Sequence, residues 1–198
     1  GDMLQGEPTA YYFNNHSTNS RHRVAEICNY IGYDVAVIGN HDIEMGKRVF
    51  DKFVKECNYP ILGANAIDTA TGEPYFQPYE IFYRQGLKIA VVGFITPAIP
   101  HWIPKKTWEG MRFEDIKESA EKWVKIIQEE EHPDYIVGLM HSGMNEGIVT
   151  PEYKENATRE TAESVEGFDL ILYGHDHSSN IEEVVTKSGH TVPCVNPG

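Results

Sequence analysis

The chain contains no stretch approaching the roughly 18 consecutive apolar residues that a membrane-spanning helix needs, so no membrane segment is expected. Basic residues are scarce: 17 Lys plus Arg stand against 30 Asp plus Glu, a formal net charge of −13. An average surface of that sign, with no basic cluster, excludes a protein that holds long nucleic acid by releasing phosphate counterions. A phosphate site on such a chain needs its local field reversed, and bound metal ions are the obvious means. Cysteine is also sparse. Cys28, Cys57 and Cys194 show no short spacing, which argues against a disulfide framework, a zinc ribbon or a redox pair. Cys28 and Cys57 fall on apolar helix faces and read as small core residues. Residues 1–6 lack the basic and apolar regions of a signal peptide, and no internal repeat or low-complexity linker interrupts the sequence.

What is present is an alternation of apolar runs and amphipathic segments. With 198 residues and 40% hydrophobic content, one domain with a sizeable core is expected. Short apolar runs at 34–39, 61–64, 88–95, 135–140 and 169–173 read as central strands. Helical spacing links Val24, Ile27, Cys28 and Ile31, and again Val49, Phe50, Phe53, Val54 and Cys57. Phe113, Ile116, Ala120, Trp123 and Ile127 mark the longest predicted helix. Its acidic tail, Glu129 to Glu131, reads as a solvated face. Arg84-Gln85-Gly86 predicts a hairpin with Gly86 at positive φ, and a second hairpin is expected around Ser188-Gly189-His190. The segment 97–108, with three prolines, reads as a surface loop. The pattern favours a layered α/β fold.

Residues able to bind metal recur where the predicted strands end: Asn40, His41 and Asp42 after DVAVIG, His141 after DYIVGLM, and His175, Asp176 and His177 after FDLILYG. In open α/β sheets such loops gather at one crevice. A single His at a strand end is most simply a hydrogen-bonded loop residue; three clusters at equivalent positions, each beside a glycine, point to a shared ligand set.

These blocks, GNHD at 39–42, HSG at 141–143 and GHDH at 174–177, resemble the calcineurin-like metallophosphoesterase superfamily. The opening Gly1-Asp2 followed by MLQG resembles the GD block of its bacterial 5'-nucleotidase and 2',3'-cyclic-nucleotide phosphodiesterase branch. The resemblance implies a four-layer αββα sandwich of two facing mixed sheets, with the metals at one end. It implies hydrolysis of nucleotide phosphate esters by a water activated between two divalent ions; manganese, zinc and iron are not distinguished. By motif, Asp2 would bridge the ions, Asn40, His141 and His175 would complete one of them, and His177 would serve the other. His41 would face the substrate, steady developing charge and protonate the leaving oxygen. Its orienting partner is Glu44, three positions on, or the adjacent Asp42. Glu44 is favoured by its spacing, although it would equally serve as a helix-dipole residue.

Asn65, in LGANA, is a candidate for approaching substrate phosphate, against the plainer reading of a turn-forming asparagine. His16, His22, His101, His132 and His190 read as surface or structural. Asn15-His16-Ser17 and Asn156-Ala157-Thr158 match glycosylation sequons. In the family an Asp-x-His block and its strand precede GD, and neither is in this sequence. The expectation is therefore a catalytic domain over 1–198 lacking its N-terminal strand, with at most one well-bound metal and impaired activity. The branch's separate C-terminal nucleotide-binding domain is likewise not in this sequence. The resemblance also implies export, commonly to the periplasm. The alternative is a non-catalytic domain that keeps a degenerate site to bind metal or nucleotide.

Overall fold

The apolar runs find their partners in a six-stranded mixed sheet. The computed structural model describes residues 1–16 and 20–198; Ser17, in the first sequon, lies outside the described residues. Helices α1 (Pro8–Asn15) and α2 (Arg23–Ile31) precede a short strand β1 (Ala36–Val37). Then follow α3 (Asn40–Glu44), α4 (Lys47–Glu56), β2 (Ile61–Leu62) and β3 (Ala66–Asp68). Next come β4 (Tyr79–Arg84), β5 (Leu87–Ile95), α5 (Ile99–Trp102), β6 (Met111–Phe113), α6 (Ile116–Glu130) and β7 (Tyr135–His141). The chain closes with α7 (Thr158–Ser164), β8 (Leu170–Tyr173), β9 (Ser179–Val185) and β10 (Thr191–Pro197).

The large sheet has the order β4-β5-β7-β8-β10-β9. Its centre, β5, β7, β8 and β10, is parallel, and the flanking strands β4 and β9 run antiparallel. Both edges are hairpins made by local turns. The β4–β5 turn is the two-residue pair Gln85-Gly86, both at positive φ (51° and 84°), the backbone that matches the twist of the strands it joins. Of the central strands, β5 and β7 read as near-continuous apolar runs because elements pack on both of their faces; Leu172 of β8 is left exposed. On one face Val124 and Ile127 of α6 and Ala162 of α7 pack with Val92, Ile136 and Ile171. On the other, β1 and β2 pack against β5 and β7. There the sheets come so close at Gly93 that a Cβ would overlap Leu62. Beyond β1 and β2 lie Ala25 and Cys28 of α2 and Phe50 and Phe53 of α4, in a second core. The succession is helix, sheet, sheet, helix, the sandwich the motifs implied. The second layer is two small pieces, the parallel pair β1–β2 and the antiparallel pair β3–β6, rather than one broad mixed sheet.

Two local expectations are corrected. Phe113 does not open the long helix: it ends β6, and the helix begins at Ile116 because Asp115 caps it, accepting the Glu118 N–H at 3.1 Å. Residues 97–108 are not merely a surface loop. They hold α5 and a short 3₁₀ turn, anchored by buried Ile99 and Ile103.

Candidate metal centre and catalytic dyad

The loops that leave β1, β7 and β8 at their C-terminal ends meet beside the opening Asp2. His141 is the last residue of β7, and its imidazole is almost fully buried. Its Nε2 lies 2.8 Å from Asn40 Oδ1 and 3.1 Å from Asp2 Oδ2, so one N–H bifurcates between the two oxygens. Burial holds the His141 imidazole down to about 4, against the pull of Asp2. Burial works to raise Asp2, but the hydrogen bonds from His141 and the His41 N–H outweigh it and bring the carboxyl down to about 2. At neutral pH the pair is therefore a carboxylate and a neutral ring, the protonation states a metal requires of such ligands.

The backbone bends unusually to make this site. Asp2, His175 and His177 have positive φ (64°, 88° and 52°), a region that non-glycine residues seldom occupy. Strain of this kind persists only where surrounding contacts enforce it, and it concentrates at functional sites. Gly39 is required for a different reason: a Cβ there would overlap the Asp2 carboxylate and backbone.

Of the two carboxylates that could orient His41, Asp42 is the alternative to Glu44. It is not the partner of His41. Fully buried, it accepts the N–H groups of Asp2, Leu4 and Gly39, each at 2.9 Å, and so clamps the opening segment onto α3. Burial pushes its carboxyl upward. Glu44 faces His41 instead, with Oε2 2.8 Å from His41 Nδ1, across one turn of α3. Gln5 Nε2 donates to the same oxygen at 3.0 Å. Asn65 is also corrected. It is fully buried; its amide donates to the carbonyls of Ile95 (2.7 Å) and Glu114 (2.9 Å), and its Oδ1 accepts the Ile95 N–H (2.9 Å). Both side-chain N–H donors are thus spent on backbone carbonyls rather than left for a phosphate.

His175 stands next to the converging donors, its ring 5.1 Å from that of His141 and 5.8 Å from that of Trp102. Its Nε2 lies 3.1 Å from Glu155 Oε1. His177 is exposed. Asp176, between them, fixes the loop by accepting the N–H groups of Met144 and Ser178 and the Asn196 amide. Burial opposes its ionisation, yet these donors keep its carboxyl below the usual range. Asn40, His41, Glu44, Trp102, Ile103 and His175 line a cavity of about 260 Å³. Glu155 and Trp102 belong to no recognised block. Nothing in their local pattern marks them, since what matters is the loop they face.

Does the donor set suit a metal? Among the described residues no group of three or more His, Cys, Asp or Glu side chains stands ready as a metal cage. The reason is visible in the contacts: one of the gathered donors is an amide, and His141 touches both Asn40 and Asp2 directly. A carboxylate, an amide oxygen and a neutral imidazole meeting at one point are nevertheless a chemically apt set for a divalent ion. The residues fit, in a contracted arrangement.

Comparison with known proteins places the chain in a family. The sequence model of the calcineurin-like phosphoesterases matches residues 1–179. The chain is 31% identical over 193 residues to the trifunctional nucleotide phosphoesterase protein YfkN of Bacillus subtilis, covering 89% of this chain and 13% of that protein. It is 30% identical over 191 residues to a 2',3'-cyclic-nucleotide 2'-phosphodiesterase/3'-nucleotidase of Yersinia enterocolitica, covering 90% and 28%. The crystal structure of the calcineurin-like phosphoesterase YfkN from Bacillus subtilis superposes with a TM-score of 0.85 at 28% identity, covering all of this chain and 66% of that one. The chain thus spans less than a third of the length of each of the two sequence relatives. With the blocks, the sandwich and the match in agreement, the chain belongs to the calcineurin-like phosphoesterase family.

Proposed function

We propose that this chain is the catalytic domain of a metal-dependent phosphoesterase whose full-length form hydrolyses nucleotide phosphate esters, as a 5'-nucleotidase or a 2',3'-cyclic-nucleotide phosphodiesterase. The observation that supports it most is the meeting of Asp2 and Asn40 on the buried His141, with the His41–Glu44 pair on the same cavity. Asp2, Asn40, His141 and His175 would hold one divalent ion, and Asp2 and His177 would contribute to a second. The residues named here give the first ion four donors and the second two, so the first is the tighter site. Ions held there supply Lewis-acid polarisation of the phosphoryl group and a hydrolytic water that ionises near neutral pH.

The chain's own residues then account for the remainder. Glu44 accepts from His41 Nδ1, which fixes the ring and presents Nε2 to the cavity. A protonated His41 Nε2 donates its proton to the departing ester oxygen, the general-acid role. His41 and Glu44 are each about 40% exposed, so the pair opens onto solvent. Trp102, which lines the same cavity, offers an apolar surface to the substrate. Export of the enzyme is proposed from family resemblance.

The test is an assay of the full-length protein with manganese, zinc or iron against nucleoside 5'-monophosphates, 3'-monophosphates and 2',3'-cyclic phosphates. Hydrolysis of at least one class, abolished by chelation, is expected. Binding of metal or nucleotide with no turnover on any of them would replace this reading with a non-catalytic binding domain.

A further inference from the structure

Glu155 lies in the irregular segment between β7 and α7, yet three of the loops around the candidate site converge on it. Its Oε1 faces His175 Nε2 at 3.1 Å, and its Oε2 accepts the Ile148 N–H at 2.7 Å. Its backbone carbonyl accepts the hydroxyl of Thr96, just past β5, at 3.0 Å and that of Ser142, just past β7, at 2.9 Å. The next residues extend the clip: Asn156 Oδ1 accepts the Gly143 N–H at 2.8 Å, and the Ala157 N–H donates to Ser142 Oγ at 3.0 Å. The two side chains of the Glu155–His175 pair are only 14% and 12% exposed. A carboxylate this shielded, beside an imidazole on a backbone at φ 88°, is a fixed tether.

We infer that Glu155 is a positioning residue for His175: it holds the proton on Nε2, so that the Nδ1 lone pair is the one free to serve a metal. An imidazole ring nitrogen facing a carboxylate must carry the hydrogen, and the tautomer follows from that single contact. Metal-binding histidines commonly donate their second ring N–H to a carboxylate in this way, which orients the ring and raises its basicity. Trp102 and His141 flank the same ring and limit its rotation. The part of the inference that concerns metal affinity rests on the proposed function; the tautomer does not.

The informative substitution is Glu155→Gln. The carboxylate meets two donors, His175 Nε2–H and the Ile148 N–H, with two acceptor oxygens. An amide has one oxygen. The Ile148 N–H cannot change its character, so the Gln oxygen turns to it and the NH₂ faces His175, which forces the ring proton onto Nδ1. Long-range ¹H–¹⁵N correlation spectra of the metal-free full-length protein read this directly, and manganese titration by calorimetry reads its consequence. Wild type is expected to show His175 as the Nε2–H tautomer. Glu155→Gln is expected to show Nδ1–H, with manganese binding weakened about 10- to 100-fold. An Nδ1–H tautomer in wild type overturns the inference even if the variant fails to fold, as does an unchanged tautomer in a folded Glu155→Gln. Wild type that shows the expected tautomer but binds no manganese overturns the metal reading of the site instead, and leaves the positioning of His175 standing.

Discussion

Glu44 Oε2 lies 2.8 Å from His41 Nδ1, one turn along a helix of five residues that starts at Asn40. That placement ties the proposed proton donor to the same short element as a proposed metal ligand. His41→Ala is expected to reduce turnover of nucleotide esters by about 10²–10⁴-fold while leaving bound metal unchanged. Glu44→Gln should fall between this variant and wild type. The deficit should shrink for an ester with an acidic phenol as leaving group, which needs no proton. Turnover and metal content measured on the same preparations check all three, and equal losses on both kinds of ester would remove His41 from the general-acid role.

Gly39 has an ordinary φ of −110°, so its role is one of space rather than of backbone freedom. A methyl group at this position would displace the Asp2 carboxylate, whose Oδ1 accepts the His41 N–H at 2.9 Å. Gly39→Ala should therefore cost metal affinity of at least about tenfold, with a smaller effect on the melting of the large sheet, which lies on other elements. Metal titration paired with circular dichroism separates the two. Normal affinity in Gly39→Ala would mean that Asp2 is not held where the contacts place it.

The large-scale plan was legible because periodicity reports burial, and the strands with elements packed on both faces left continuous apolar runs at 88–95 and 135–140. Less legible was how little of DVAVIG joins a ladder, since pairing depends on a distant strand and only Ala36 and Val37 meet Ile61 and Leu62. The motif blocks located Asp2, Asn40, His41 and His141. Spacing favoured Glu44 over Asp42 without excluding Asp42, because both are acids near one histidine and only the course of residues 2–4 decides that Asp42 is spent on backbone N–H groups. Glu155 was invisible for a related reason. A lone glutamate in a polar segment carries no local sign of facing a histidine 20 residues further on.

His22, read from sequence as surface or structural, is buried, and its Nε2–H donates to Asn14 Oδ1 at 3.0 Å. Among the described residues, the other ring nitrogen, Nδ1, is buried without a partner. Burial lowers its affinity for a proton, with Lys52 assisting and Glu56 opposing. The unfolded chain then binds the proton more readily than the folded one. The contribution to stability is fully present above the ordinary histidine value of about 6.5, and is lost as pH falls from there towards the depressed folded value. Chemical denaturation at pH 7.5 and 5.5 should show lower stability at the acidic end, and His22→Gln should flatten part of that slope. A slope identical in both proteins would place the proton uptake elsewhere.

Asn65 offers the cleanest separation of a structural residue from a functional one. Its three hydrogen bonds join the end of β5, the start of β3 and the turn before α6, all within the protein interior. Each such bond contributes about 1 kcal/mol, and truncation also strands buried backbone groups, so Asn65→Ala should destabilise the fold by about 3 kcal/mol or more. Asn65→Asp keeps the shape but offers only acceptors, and places a charge against the Ile95 and Glu114 carbonyls; it should be at least as damaging. A residue that touched substrate would instead raise KM at unchanged stability. Denaturant titration beside steady-state kinetics at a temperature where the variant is folded therefore decides the matter: a lowered midpoint with a normal KM is expected. A raised KM with an unchanged midpoint would return Asn65 to the substrate.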